Sequence, residues 1–459
     1  MISTATDAKE LEDLRQMAVN HLWLPFHQMN DFAEAPDSLK IYESGEGCWL
    51  TDINGGKAFD MMSGMWLQAV GYGRKEIADA VYEAMQGITS NPWAGTNPHT
   101  IRVSAKIASL APDKGSRVFL TNGGAESNEV ALKIAKKYHR IRGDADRYKV
   151  ISRTGSYHGG THATMAAGGG GIAAPEDYGP LQPGNIHVTQ PNAYRCALCA
   201  ENGACTLACA REVETVIEAE GPETVAAFIG EPMSVTGGVY VPHDDYWPTI
   251  REICDRYGVL MIMDEVVTGY GRTGKWFASM HWDVQPDITT MAKQLSSGYL
   301  PAAGAIVRKE VADIFLGGED KKFRHLYTYG GHPIACAAAL ANLKIIEEEN
   351  LVENSARMGQ YLFDRLQVLY RHPFVGDIRG GKGLFASVEL VKDRETRERF
   401  PAALGVGDKI TDLLASHDLI TRADNVIPIL PPLITTSEDV DFIVEGIDRA
   451  LSDFAQELG

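Results

Sequence analysis

Between residues 115 and 310, short apolar runs alternate with stretches whose apolar positions recur every three or four residues. Runs of the first kind read as buried strands, and the longer periodic stretches read as amphipathic helices. The predicted strands are 117–121 (RVFLT), 149–152 (KVIS), 225–229 (VAAFI), 259–263 (VLMIM) and 287–291 (DITTM). The first ends at Asn122-Gly123-Gly124 and leads into AESNEVALKIAKKYHRIR, which is apolar at helical spacing. A second predicted helix, DDYWPTIREICDRYG, closes on Gly258, the residue type that suits a left-handed cap. Strands alternating with helices predict an α/β fold whose central sheet is mostly parallel and covered on both faces.

The ends of the chain follow another pattern. Residues 38–60 contain LKIYESGEGCWLTDINGGKAFD, a hairpin pattern with its turn at Asn54-Gly55. From about residue 335 a long helix, the strand-like GLFASVELV and a final helix follow. The expectation is a large domain over 63–334 and a smaller α+β domain assembled from 1–62 and 335–459. Neither a 20–50-residue repeat nor a long low-complexity tract interrupts this reading.

Composition narrows the function class. The 459 residues carry 43 Lys+Arg against 61 Asp+Glu, a formal charge of −18. That balance argues against a general nucleic-acid binder, which needs a basic face to meet phosphates. No apolar run approaches the about 18 residues that span a bilayer. The polar start, MISTATDAKELEDLRQ, reads as neither a secretory signal nor an Arg-rich transit peptide, so a cytoplasmic location is expected. Seven cysteines, an odd number, fit a disulfide framework poorly. Cys48, Cys254 and Cys336 sit in apolar or mixed contexts and read as buried thiols.

Candidate chemistry collects at the carboxyl ends of the predicted strands, where ligands bind in open parallel sheets. Gly123-Gly124-Ala125 joins a strand to a helix N-terminus, whose free N–H groups suit a phosphate; a Gly-Gly pair there is also an ordinary tight turn. Tyr157-His158-Gly159 offers a ring that can stack on a flat cofactor or simply pack in a loop. Gly168–Gly171 lacks the GxGxxG spacing of a dinucleotide loop. Asp264 ends a wholly apolar strand, and Lys293 ends the next among small and apolar neighbours. A desolvated lysine has a lowered pKa and can act as an imine-forming nucleophile. Phosphate cradle, aromatic ring, strand-end carboxylate and strand-end lysine together are the parts pyridoxal phosphate requires, with Val266 suited to the second ring face.

At this point the sequence resembles the class III, omega-type aminotransferases of the fold-type I pyridoxal-phosphate enzymes. The matching segments are SGMWLQAVGYGR (63–74), TNGGAESNEVALKIA (121–135), SYHGGTHA (156–163), FIGEPM (228–233), MDEVVTGYGRTG (263–274), PDITTMAKQLSSGYLP (286–301), YTYGGHPIACAA (327–338) and LPPLITT (430–436). The resemblance implies that Lys293 holds the cofactor aldehyde as an imine and moves the substrate proton. It implies that Asp264 pairs with the pyridine nitrogen, and that Tyr157, with His158 beside it, and Val266 flank the ring. Gly123, Gly124 and Ala125 would cradle the phosphate, with Glu126 in the same motif and Glu231 near the phenolic side. Thr328 would reach the cofactor phosphate of a neighbouring subunit, which implies a homodimer or a dimer of dimers with shared sites.

Two positions depart from the family pattern. Ala125 replaces the usual Ser or Thr, removing a hydroxyl contact worth about 1 kcal/mol. Gln294 follows the lysine where Gly is common, while Gly298 before the YLP motif is kept.

By the same resemblance, Met65 and Trp66 would wall the donor pocket, and Arg422 would bind the carboxylate of pyruvate or alanine and swing away for uncharged amines. The implied reaction is ping-pong transfer, by way of pyridoxamine phosphate, from an omega-amino acid or primary amine to pyruvate. Taurine- or diamine-specific transfer to pyruvate or 2-oxoglutarate, and a class III racemase or epimerase, are the alternatives. Cys196, Cys199, Cys205 and Cys209 lie within an insert at 192–212 with spacing C-x2-C-x5-C-x3-C. That spacing resembles a zinc knuckle, yet some omega-aminotransferases carry a similar insert and the cofactor chemistry needs no metal. Free thiols are the expected state, so no metal ligand is assigned.

Overall fold

The structure is a computed structural model that describes residues 8–458 except 94, 172–173, 197 and 200–204. A four-stranded sheet uses β1 (Tyr42–Glu46), β2 (Trp49–Asp52) and β3 (Lys57–Asp60). Asp52 Oδ1 accepts from the N–H groups of Asn54 and Gly56 at 2.8 and 2.9 Å, which fixes the tight turn between β2 and β3.

The central sheet is built from β4 (Arg117–Thr121), β5 (Lys149–Arg153), β6 (Asn185–Val188), β7 (Val225–Gly230), β8 (Leu260–Asp264), β9 (Ile288–Met291) and β10 (Ala303–Val307). Its order is β4-β10-β9-β8-β7-β5-β6. The pairs from β9 through β8, β7 and β5 to β6 are parallel. β10 is antiparallel to both neighbours, so β4 runs in the same direction as β9. Every residue of β7, β8, β9 and β10 is buried, as strands covered on both faces must be.

The period-two alternation of a strand sorts these residues between opposite faces. Ala227 and Ile229 pack with Val130, Ala131 and Ile134 of the helix Gly124–Arg142. Phe228 and Met261 pack with Val213 and Ile250 of the helices Ala208–Glu220 and Tyr246–Tyr257. A further cluster joins Met291 and Leu295 to Ile107 and to Leu343 of the helix Pro333–Glu348.

A three-stranded antiparallel sheet, β11-β12-β14, comprises β11 (Val375–Arg379), β12 (Ala386–Leu390) and β14 (Val426–Ile429). The short β13 (Leu419–Ile420) pairs in parallel with β3, so chain from near both ends shares one sheet.

Asp287, read from the sequence as the first residue of a strand, precedes β9 instead. Its buried carboxylate accepts from Arg251 Nη1, Arg308 Nη2 and the Met261 N–H at 2.8, 2.8 and 2.7 Å. The Asp287 backbone still bonds both neighbouring chain segments, N–H to the Met261 carbonyl at 2.9 Å and carbonyl from the Arg308 N–H at 3.0 Å, so the strand differs from the expected one only in its formal first residue.

Candidate active site

The carboxyl ends of β4, β5, β7, β8 and β9 bring the sequence candidates together. β4 leads through Asn122 to Gly123, the N-cap of the helix Gly124–Arg142. Gly123 has no side chain to cap the first turn, so the N–H groups of that turn are left for a ligand. Glu126 does not point its charge into this cradle. Its Oε2 turns back to accept from the Asn122 N–H and Nδ2 at 2.8 and 2.9 Å.

The cradle is open at Gly123, where a Cβ would meet nothing within 4 Å, and close-packed behind it. A Cβ at Gly124 would stand 2.8 Å from Val266 Cγ1, and one at Gly159 would stand 2.5 Å from the Ala125 Cβ. Val266 therefore lies directly against the bare cradle backbone. Ala125 packs on Gly159 in the same way.

Asp264, at the end of β8, is almost wholly buried. Its Oδ2 accepts from Asn128 Nδ2 at 2.8 Å and lies 2.8 Å from His158 Nδ1. A carboxylate only accepts, so His158 carries its proton on Nδ1. Asp264 Oδ1 meets the Val266 N–H at 3.1 Å, which leaves lone-pair capacity for one more donor. Asn128 was not singled out from the sequence. Its signal was a polar residue, four positions after Gly124, on a helix face that is otherwise buried.

Glu231, just beyond β7, is neutralised by the buried Arg153, whose Nη2 is 3.0 Å from Oε2. Oε1 accepts from Ser234 Oγ and from the Tyr157 N–H at 3.1 and 3.3 Å. Glu231 thus positions the loop that carries Tyr157. Burial, then the Asp264 charge, pushes the Tyr157 phenol upward.

Lys293 lies two residues past β9, with left-handed backbone at φ +46°. Its Nζ is 4.9 Å from the centre of the Trp66 ring. Burial pulls its pKa down to about 8, against the opposing pull of Asp264 and with a smaller push from Arg272. The turn is sewn to the rest of the fold by Asn342. Asn342 Nδ2 donates to the Gln294 and Leu295 carbonyls at 2.7 and 3.0 Å, and its Oδ1 accepts from Ser297 Oγ at 2.6 Å.

The remaining candidates face solvent. Met65 is exposed, and only its neighbour Trp66 turns toward the lysine. Arg422 is exposed, with its guanidinium 5.7 Å from the centre of the Phe26 ring and its N–H 3.0 Å from Met62 Sδ. Thr328 is exposed between Leu326 and Tyr329. All seven cysteines are free thiols, and Cys48, Cys254 and Cys336 are buried. Ala197 and residues 200–204 of the cysteine insert lie outside the described residues. Among the described residues no group of three or more His, Cys, Asp or Glu is arranged to hold a metal ion.

The class-III aminotransferase family model matches residues 33–451. The chain belongs to the class-III aminotransferases. It is 40% identical over 452 residues to a taurine–pyruvate aminotransferase of Bilophila wadsworthia, covering 96% of this chain and 97% of that protein. It is 38% identical over 467 residues to a putrescine–pyruvate aminotransferase of Pseudomonas aeruginosa, covering 99% of each. The solved (S)-enantioselective omega-transaminase from Thermomicrobium roseum superposes with a TM-score of 0.91 at 39% identity, covering 98% of this chain and 99% of that one. This enzyme is a pyridoxal-phosphate-dependent aminotransferase of fold type I. The bare glycine cradle, the spare acceptor on Asp264 and the desolvated lysine fit that cofactor.

Proposed function

We propose that this aminotransferase moves the amino group of an omega-amino acid or other primary amine to pyruvate. The observation that supports it most is the Trp66 ring held 4.9 Å from Lys293 Nζ, an aromatic wall beside the reacting amine. Pyridoxal phosphate, when bound, supplies the electron sink that lets the carbon bearing the amine lose a proton. Lys293 would hold the cofactor through its amine and would move that proton when the amine is free; in the cofactor-free site burial brings that amine down to about 8, close to neutral pH. Asp264, held by His158 and Asn128, keeps the pyridine nitrogen protonated. The first turn after Gly123, with Gly124 and Ala125, holds the phosphate, and Tyr157 and Val266 clasp the ring. Arg422 rests over Phe26 and swings in to take the acceptor carboxylate through its planar fork.

Thr328 would reach the cofactor phosphate of a second copy, so the working unit is a homodimer or a dimer of dimers. Residues 63–334 form the cofactor-binding domain, and 1–62 with 335–459 form the smaller one. The pairing of β3 with β13 supports the second grouping, although the helix Pro333–Glu348 packs with the large-domain helices. No helix among the described residues is long and apolar enough to cross a membrane, and a cytoplasmic site of action is proposed.

The test is a donor panel of taurine, β-alanine, 4-aminobutyrate, putrescine and 1-phenylethylamine, each with pyruvate or 2-oxoglutarate. Alanine formation from at least one donor is expected. Turnover with 2-oxoglutarate alone would overturn the pyruvate assignment.

A further inference from the structure

The segment that carries Trp66 is held in an unfavourable conformation. Ser63, Gly64 and Trp66 have φ of +54°, +66° and +62°, the left-handed region that side chains avoid. Such backbone persists only where its surroundings over-determine it. Three sets of contacts, the second wholly buried and the others partly so, do so here. The Asp60 carboxylate accepts from the N–H groups of Met62 and Gly64 at 3.1 and 2.5 Å. Arg272 Nη2 donates to Ser63 Oγ and the Gln68 carbonyl at 3.3 and 3.2 Å. Gln294 Nε2 donates to the Trp66 carbonyl at 2.8 Å.

The third contact differs from the others. Gln294 is the residue after Lys293, is fully buried, and its own carbonyl is held by Asn342 Nδ2 at 2.7 Å. Its Nε2 bond is therefore a direct strap between the turn bearing the lysine and the turn bearing the indole. Gln294 Oε1 has no partner, so the carboxamide is oriented by the Trp66 bond. The same peptide's N–H, from Leu67, donates to the Ser63 carbonyl at 2.9 Å. Removing the Gln294 donor therefore leaves the Trp66 carbonyl unheld on a peptide still pinned at its nitrogen, and the peptide tilts about that bond and carries the ring with it.

We propose that Gln294 is a specificity-setting positioning residue: its carboxamide fixes the Trp66 carbonyl and so sets how large an amine fits between the indole and Lys293. This rests on the reading of Trp66 as the donor-side wall. A strapped wall favours small donors such as sec-butylamine over bulky ones such as 1-phenylpropylamine.

The experiment measures kcat/KM for both amines with the cofactor-loaded enzyme and its Gln294→Met, Gln294→Leu and Trp66→Gly variants. Both Gln294 variants keep an uncharged side chain of similar bulk and remove the donor. The expected result is a rise of about tenfold in the bulky-to-small ratio for each, the scale on which a modest change of pocket shape acts. KM for the bulky amine should carry most of the change, with cofactor content and its absorbance maximum retained. A merely structural role would slow both amines alike. If Trp66→Gly shifts the ratio and neither Gln294 variant does, the Gln294 role is overturned alone. If Trp66→Gly leaves the ratio unchanged, the reading of Trp66 fails and the strap's role falls with it.

Discussion

His158 Nδ1 stands 2.8 Å from Asp264 Oδ2, a buried contact between residues 106 positions apart in sequence. Asn128 Nδ2 meets the same oxygen at the same distance and also donates to the His158 carbonyl at 2.7 Å. The carboxylate is thereby oriented on one oxygen, while the other accepts only the Val266 N–H at 3.1 Å and keeps capacity for one more donor. Removing a hydrogen bond to a charged group costs about 1.5–3 kcal/mol. His158→Ala is expected to lower kcat by about tenfold to a hundredfold. Asp264→Asn, which removes the charge itself, should cost about a hundredfold to a thousandfold. Steady-state kinetics of the two variants check the ranking, and a milder Asp264→Asn defect would contradict it.

The lysine provides a pH test. Its neutral amine is the nucleophile, so loading of cofactor-free enzyme should accelerate as pH rises through about 8 and level off above it. An ordinary lysine would place the midpoint near 10.5. The folded pKa lies below the unfolded one, so between these values the unfolded chain binds more protons. Stability of the cofactor-free protein should accordingly rise with pH from about 8 toward 10.5. Stopped-flow loading rates and chemical denaturation across that range measure both effects.

Arg422 has no carboxylate partner among the described residues and rests over Phe26. Arg422→Ala should raise KM for pyruvate by about 10- to 100-fold through loss of a bidentate pair. The half-reaction with an uncharged amine should fall far less. Equal losses in both half-reactions would remove the acceptor role.

The cysteines divide by environment. Burial pushes the Cys48, Cys254 and Cys336 thiols up to about 12, 12 and 11. In the insert, hydrogen bonds from the Thr206 hydroxyl and N–H bring the Cys199 thiol down to about 7, and Cys205 is exposed. Cys209, also in the insert, is buried and pushed up to about 11, so brief maleimide labelling of native enzyme at neutral pH should mark Cys205 first and spare Cys209 together with Cys48, Cys254 and Cys336. Protection of the insert that a chelator releases would show a bound metal there.

The strand-end chemistry was legible because apolar runs stop abruptly at polar residues: VLMIM at Asp264, and ITTMA at Lys293. What escaped was whatever depends on distant pairing. β10 inserts antiparallel between β4 and β9, a placement that its own short apolar sequence does not encode. β6 alternates polar and apolar residues over only four positions and gave no clear signal. Gln294 was visible as a departure from the family pattern, yet its contact lies 228 positions away at Trp66. Asn342 ties together Gln294, Leu295 and Ser297 from a helix whose composition reads only as small and apolar.

The most direct test of the central claim is borohydride reduction of the cofactor-loaded enzyme followed by peptide mass mapping. Reduction should fix a phosphopyridoxyl group on Lys293, and prior incubation with a productive amine should abolish the label until pyruvate is added. A label on another lysine, or one indifferent to amine and pyruvate, would contradict the assignment of Lys293 as the residue through which the amino group is transferred.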